Sequence, residues 1–211
     1  MKSTNEEFLK IIDSNSHFRD LEREFFLLRL RTLNSEILSI RSGQLARSYS
    51  VVAATILEFS KKMELVSNSL LETGKKYLNN YSNRLSLLKR QELCSRIKIR
   101  KEQEQCNREN EEKQNQQSLN WKEQLEEKFS EKKRINEISQ KKLQEKIHTE
   151  IELSKRILLE GNFIAVQAMI TSTTLEDKLP ILKEVSLQFR NSIEKIQIIL
   201  NQIYESYSEK I

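Results

Sequence analysis

Between residues 45 and 77, apolar side chains recur at alternating steps of four and three: Leu45, Tyr49, Val52, Ile56, Phe59, Met63, Val66, Leu70, Thr73 and Tyr77, with Thr73 the one member that is not apolar. On a straight helix of 3.6 residues per turn such a stripe drifts out of line. It stays buried when a partner helix supercoils with it. The pattern therefore predicts a helix whose apolar face docks on another helix, and it contains no chemistry. A second stripe of the same quality closes the chain, through Leu182, Val185, Phe189, Ile193, Ile196, Leu200, Ile203 and Tyr207.

Elsewhere the pattern is less regular. Asn15 or Ser16 can cap a first helix that carries Phe18, Leu21, Phe25 and Leu28. A second line on an adjoining face, Phe26, Leu30, Leu33, Ile37 and Ile40, widens the apolar surface to one that suits a bundle. The step from Ile40 to Leu45 breaks the register at Ser42-Gly43, where a kink or short turn is expected. Beyond Tyr77 the stripe thins through Tyr81, Leu85, Leu88, Leu93, Ile97 and Ile99. Between Arg100 and Ser118 Cys106 is the one residue of the apolar class. Apolar residues return irregularly from Leu119 and Trp121 to Leu158, with Trp121 expected to anchor the packing where the spacing resumes. Gly161-Asn162 reads as a candidate helix end, although FIAVQAMI follows as if the helix resumed. The segment TSTTLEDKLP is the clearest break, with Asp177 as a cap and Pro180 in the first turn of the last helix.

Strong stripes at both ends and a polar middle are explained by a fold-back near residue 113. It would set Arg90 beside Asn136 and residues 45–77 beside 149–181, with arms reaching roughly 80 Å at 1.5 Å per residue. The rival is one uninterrupted helix over about 45–160, pairing with other chains. The expected fold is all-α: an elongated antiparallel helical hairpin or coiled coil, with a three-helix bundle at the end that gathers both termini. Residues 1–15 are set apart as a flexible N-terminus. The single helical domain, 16–211, comprises a first helix 16–41, arm one 44–99, a polar tip 100–118, arm two 119–170 and a last helix 178–208.

Composition sharpens this picture. Among 211 residues there are 3 Gly and 1 Pro, where average usage gives roughly 15 and about 10. Sheet-rich folds need many turns, and turns need these residues. Charged residues make up 32% and favour long exposed helices, and the net charge is +5. The excess is local. Arg84, Lys89, Arg90, Arg96, Lys98, Arg100 and Lys101 stand against one acidic residue, Glu92. Lys128, Lys132, Lys133, Arg134, Lys141, Lys142 and Lys146 stand against Glu131, Glu137 and Glu145. In the fold-back these clusters face one region, a candidate contact for a polyanion such as an anionic membrane, an acidic protein surface or nucleic acid. The plainer reading is a solvated lysine-rich helix face.

Candidate chemistry is sparse. His17 and His148 are isolated, and Cys94 and Cys106 fit no zinc or redox spacing. No Gly-rich phosphate loop or strained nucleophile turn is present, and a helical rod offers little pocket in which to shift a carboxyl pKa. Enzymatic activity, a metal site, a cofactor and a small-molecule substrate are therefore not expected. The opening MKSTNEEFLK lacks the apolar run of a signal peptide, which favours a cytoplasmic setting, cytoskeleton-associated or, second, nuclear.

Two functions follow as expectations. The first is a non-enzymatic coiled-coil scaffold in a cytoskeletal, centrosomal or ciliary assembly, docking on other coiled-coil proteins or on itself as a homodimer through the 45–77 and 182–207 stripes. A chromosome-associated coil, or nucleic-acid binding, is a weaker variant, because there is no groove-reading module and few aromatics accompany the basic residues. The second rests on layout over the whole chain. A short first helix, two antiparallel arms and a polar tip resemble a BAR-type domain, which implies a dimer binding anionic lipid. The tip departs from a basic inserting tip, since Glu102, Glu104, Glu109, Glu111 and Glu112 offset Lys101, Arg108 and Lys113. If the 45–77 stripe is used up inside the fold, the surfaces left for partners are the first helix, the basic zone and whichever side dimerises.

Overall fold

A computed structural model describes the backbone of residues 2–105, 112–177 and 179–208, and the side chains of residues 13, 16–44, 46–96, 124–177 and 179–207. Four long helices account for the described chain: α1 (Lys2–Arg41), α2 (Arg47–Gln105), α3 (Glu112–Thr173) and α4 (Pro180–Ser208), with a 3-10 turn (Gly43–Ala46) between the first two. Among the described residues there is no strand. The all-α expectation holds, and α2 and α3 are separate antiparallel elements in place of one continuous central helix.

Helix ends follow the sequence at two of three breaks. Ser42 donates its backbone N–H and its hydroxyl to the Leu38 carbonyl, at 3.0 and 2.8 Å. Gly43 then takes φ +53°, the left-handed conformation that ends a helix at low cost only for glycine. The register skip is a turn. After α3, N–H groups of Thr174, Leu175 and Glu176 close on the carbonyls of Ile170, Ser172 and Thr173, and Pro180 opens α4, where its missing N–H leaves no intrahelical bond unmade.

The third candidate break is no break. Gly161 lies buried within α3, where a Cβ would overlap the edge of the Phe59 ring and stand 2.9 Å from Ile193. Its role is close helix approach. Gly74 is the same case, with the Phe18 ring 2.6 Å from the place of its Cβ. The start of α1 also differs from expectation: the helix runs from Lys2, so Ser16 lies inside it and donates to the Asp13 carbonyl at 2.7 Å in place of capping. Arms one and two extend further than 44–99 and 119–170, into the polar segment. Residues 106–111 of that segment, including Cys106, lie outside the description, and so do the side chains of Leu45, Lys98, Arg100, Lys101 and Trp121.

Two compact units divide the chain: Met1–Gly74 with Glu145–Ile211, and Lys75–Gln144. The first holds parts of all four helices, one more than the three expected at that end. Arg29 pairs with Glu64 at 2.7 Å to tie α1 to α2, and Lys62 pairs with Glu160 at 2.8 Å to tie α2 to α3. The His148 ring meets Tyr204 edge to face at 4.9 Å and ties α3 to α4. Arg31 bonds to Ser192, and Lys195 stands 3.8 Å from Glu24, which returns α4 to α1. The core between them contains Leu21, Leu28, Ile56, Phe59, Met63, Leu70, Ile147, Ile151, Leu158, Phe189, Ile193 and Leu200, all at 2% exposure or less. In the second unit α2 and α3 run antiparallel, and Gln140 donates to the Tyr77 hydroxyl at 3.0 Å and accepts from Arg84 at 3.2 Å.

Candidate docking and polyanion surfaces

The two regular stripes are found inside the fold. Tyr49, Val52, Ile56, Phe59, Met63 and Leu70 are buried, Val66 is half-buried, and Leu182, Val185, Phe189, Ile193, Ile196, Leu200 and Ile203 are all buried in the first unit. Tyr77 is buried in the second. The buried members pack on the chain's own helices, so they hold the bundle together.

Several polar groups inside the first unit are bonded across helices. The Tyr49 hydroxyl lies 3.0 Å from Ser186 of α4 and receives the Ser35 hydroxyl of α1 at 3.3 Å. Glu150 is 7% exposed. Its carboxylate accepts from Ser69 at 2.6 Å and Thr73 at 3.3 Å, with Lys146 at 3.6 Å. A buried carboxylate costs several kcal/mol unless donors surround it; the α2 hydroxyls supply them to Oε1, while Oε2 is buried without a hydrogen-bond partner. Thr73, the polar member of the stripe, has one hydroxyl proton, with the Ser69 carbonyl of its own helix at 2.9 Å and Glu150 the more distant acceptor.

The inner faces of α1 and α3 hold small residues where apolar bulk was expected. Beyond Leu28, α1 buries Thr32, Ser35 and Ser39, while Phe26, Leu30, Leu33, Ile37 and Ile40 are 61, 42, 40, 46 and 72% exposed. The second line of the first helix thus faces outward, which corrects the expectation of one wide buried face. Small side chains let two helices approach closely, and Thr32 satisfies its hydroxyl on the Leu28 carbonyl at 2.9 Å. α3 repeats the arrangement. It buries Ser154, Leu158, Gly161, Ile164, Ala165, Ala168 and Ser172, and exposes Leu159, Phe163, Val166 and Ile170 at 67, 83, 54 and 64%. Those four again step by 4, 3 and 4, a stripe that irregular spacing in arm two had hidden.

The basic zone is partly neutralised by its own helices. Arg96 pairs with Glu92 at 2.7 Å, and Arg134 makes a two-pronged pair with Glu131 at 3.0 Å on each prong. The hydrogen bond and charge of Arg134 hold Glu131 below the ordinary carboxylate value, and Glu131 raises Arg134 in turn. Arg84 is half-buried on Gln140. Lys89, Arg90, Lys132 and Lys133 are exposed. Arg90 and Lys132 line one recess of the second unit, about 380 Å³, with Asn83, Leu87, Ile135 and Asn136. The expected proximity of Arg90 to Asn136 is thus found.

Among the described residues no cluster of three His, Cys, Asp or Glu side chains forms a metal-binding group, and no described helix is long and apolar enough to cross a membrane. No protein-family model matches the chain, and neither the curated proteins nor the solved structures contain a match to it.

Proposed function

We propose that the protein is a non-enzymatic coiled-coil scaffold, a structural subunit that works by helix-to-helix docking in a cytoplasmic cytoskeletal, centrosomal or ciliary assembly. The observation that carries this reading is the inversion on α1 and α3. Small residues close the bundle, and bulky side chains at heptad spacing stand outside it. An exposed apolar patch of this regularity serves binding, and period 3.5 selects helices as the partners. The α3 stripe is the surface offered to other proteins.

Proximity labelling in cells tests this. The intact chain should mark helical proteins of one such assembly, and Phe163→Glu with Val166→Glu should remove most of that set while leaving the helical fold unchanged by circular dichroism. The same neighbours marked by both forms would refute docking through α3.

A second reading has its own observation: Arg90 and Lys132 border one recess and Lys89 and Lys133 are exposed in the same unit. It makes that unit a contact for an anionic membrane, as a BAR-type layout implies. Phosphatidylserine vesicles at low salt should then pellet the protein, and Arg90→Glu with Lys132→Glu should prevent it. An intact chain that stays in the supernatant removes this reading.

A further inference from the structure

The outward stripe of α1 carries more information than its apolarity. Phe26, Leu30, Leu33, Ile37 and Ile40 step by 4, 3, 4 and 3, which places Leu30 and Ile37 at heptad positions a, and Phe26, Leu33 and Ile40 at d. The flanking positions are then fixed. Arg29 and Glu36 precede the a residues on one edge, and Leu27, Asn34 and Arg41 follow the d residues on the other, with Asp20 one heptad before Leu27, after Arg19. Of these, Asp20, Arg29, Asn34 and Arg41 are exposed, and Leu27 and Glu36 are half-buried.

We propose that α1 is a homodimerisation helix, packing antiparallel on α1 of a second copy of this chain through this stripe. The inference rests on the scaffold reading and names one of its partners. Charge complementarity chooses the occupant. In an antiparallel pair each a side chain meets a d side chain of the partner, and each edge meets its own kind. Phe26 then packs on Ile37 of the second copy and Leu30 on Leu33, and both layers recur by the twofold axis. Along one edge Arg29 lies opposite Glu36 of the other copy. Along the other edge Asp20 lies opposite Arg41. Both charge pairs form twice, with no like charges opposed. Ile40 lies opposite Arg23, whose aliphatic stem covers apolar surface while its charge stays in water.

A parallel pair satisfies less. It sets Arg29 against Asn34 and Glu22 against Leu27, and retains only Glu36 against Arg41. Arg29 already holds Glu64 of its own chain at 2.7 Å, and a guanidinium with five N–H donors serves two carboxylates. The α3 stripe lacks such a signature, because its edges pair Glu160 with Gln167 and Asn162 with Met169. Apolar contact supplies the attraction here, and the charges set orientation and register.

Sedimentation of the full chain from about 1 µM to about 1 mM, the range of weak specific association, should show a monomer–dimer equilibrium. Leu33→Glu places a carboxylate in the centre of the stripe and should weaken the dimer at least about tenfold. Its thermal unfolding should match that of the unaltered chain, since Leu33 is 40% exposed. Arg29→Glu alone and Glu36→Arg alone should each dimerise poorly. Mixed together they should form a heterodimer, because the altered edges complement each other only when the helices run antiparallel. A chain that stays monomeric throughout overturns the proposal. So does a dimer that survives Leu33→Glu, or one broken by Phe163→Glu instead, or a mixture that fails to associate. Loss of self-association with unchanged proximity labelling through α3 would leave the scaffold reading standing, so the two failures are distinguishable.

Discussion

Gly161 shows what one missing methyl group does in this bundle. A glycine in a helix interior costs about 1 kcal/mol relative to alanine, so Gly161→Ala should stabilise if propensity alone decided. The packing opposes it. A Cβ would overlap the edge of the Phe59 ring, and that ring is itself held edge to face on Phe189 at 5.8 Å. Neither ring has room to retreat in a core of organic-crystal density, and overpacking costs about 1–3 kcal/mol. We expect Gly161→Ala to lower stability by about 1–2 kcal/mol in urea unfolding. Phe59→Leu in the same chain should recover part of the loss, because the two changes share one clash. Gly74→Ala approaches the Phe18 ring less closely, at 2.6 Å, and that ring is 5% exposed where Phe59 is fully enclosed, so it should cost less. Unchanged or raised stability in Gly161→Ala would show that α3 shifts freely over α2.

At the scale of elements, polar bonds choose which helices are neighbours. The Tyr49 hydroxyl on α2 touches Ser35 of α1 and Ser186 of α4, and Ser186 also donates to carbonyls of Leu182 and, across to α3, Ala168. Tyr49→Phe removes that meeting point and leaves buried hydroxyls with fewer partners. It should cost about 1–3 kcal/mol, read as a lowered midpoint of thermal unfolding. A change near zero would mean that packing alone fixes the arrangement. This level was only half legible in the sequence. α2 and α4 could be read because their inner faces are built almost wholly from large apolar side chains at three- and four-residue steps. α1 beyond Leu28 and α3 beyond Leu158 could not. There the inner faces are mostly small, Thr32, Ser35, Ser39, Gly161, Ala165, Ala168 and Ser172 with the larger Ile164, and most of the bulk lies outside. A hydrophobicity pattern reports where large apolar groups are, and it assigns them inward by default. The outward stripe of α1 was visible as a line of residues, but only the structure shows which side of the helix the neighbours occupy. The recess of Arg90 and Lys132 was foreseeable from the fold-back register, whereas the neutralising pairs of Arg96 and Arg134 lie in i,i+4 and i,i+3 spacing, which a tally of net charge does not register.

The two units of the molecule differ in how much apolar surface each encloses, and that difference has a measurable consequence. The first has a continuous core across four helices. In the second, buried side chains among the described residues are confined to Tyr77, Tyr81, Gln140 and Gln144. Among the described residues none between 82 and 96, or between 124 and 139, is buried. Two helices sharing a half-exposed strip gain little from packing, and isolated helices are marginal in water. Both also carry an excess of positive charge, through Lys89 and Arg90 on α2 and Lys132, Lys133, Lys141 and Lys142 on α3, so their repulsion subtracts from that small gain. Opening free energy should therefore be lower here than in the first unit. Hydrogen exchange read by mass spectrometry should show amides of 82–96 and 124–139 exchanging at least about tenfold faster than those of 49–73, 147–172 and 182–207. Raising salt should slow exchange in the first set, because exposed like charges beyond about a Debye length of 10 Å at 0.1 M are screened. It should leave the second set nearly unchanged, since its protection comes from apolar burial. Uniform exchange across both sets would mean that one cooperative unit spans α2 and α3 along their full lengths.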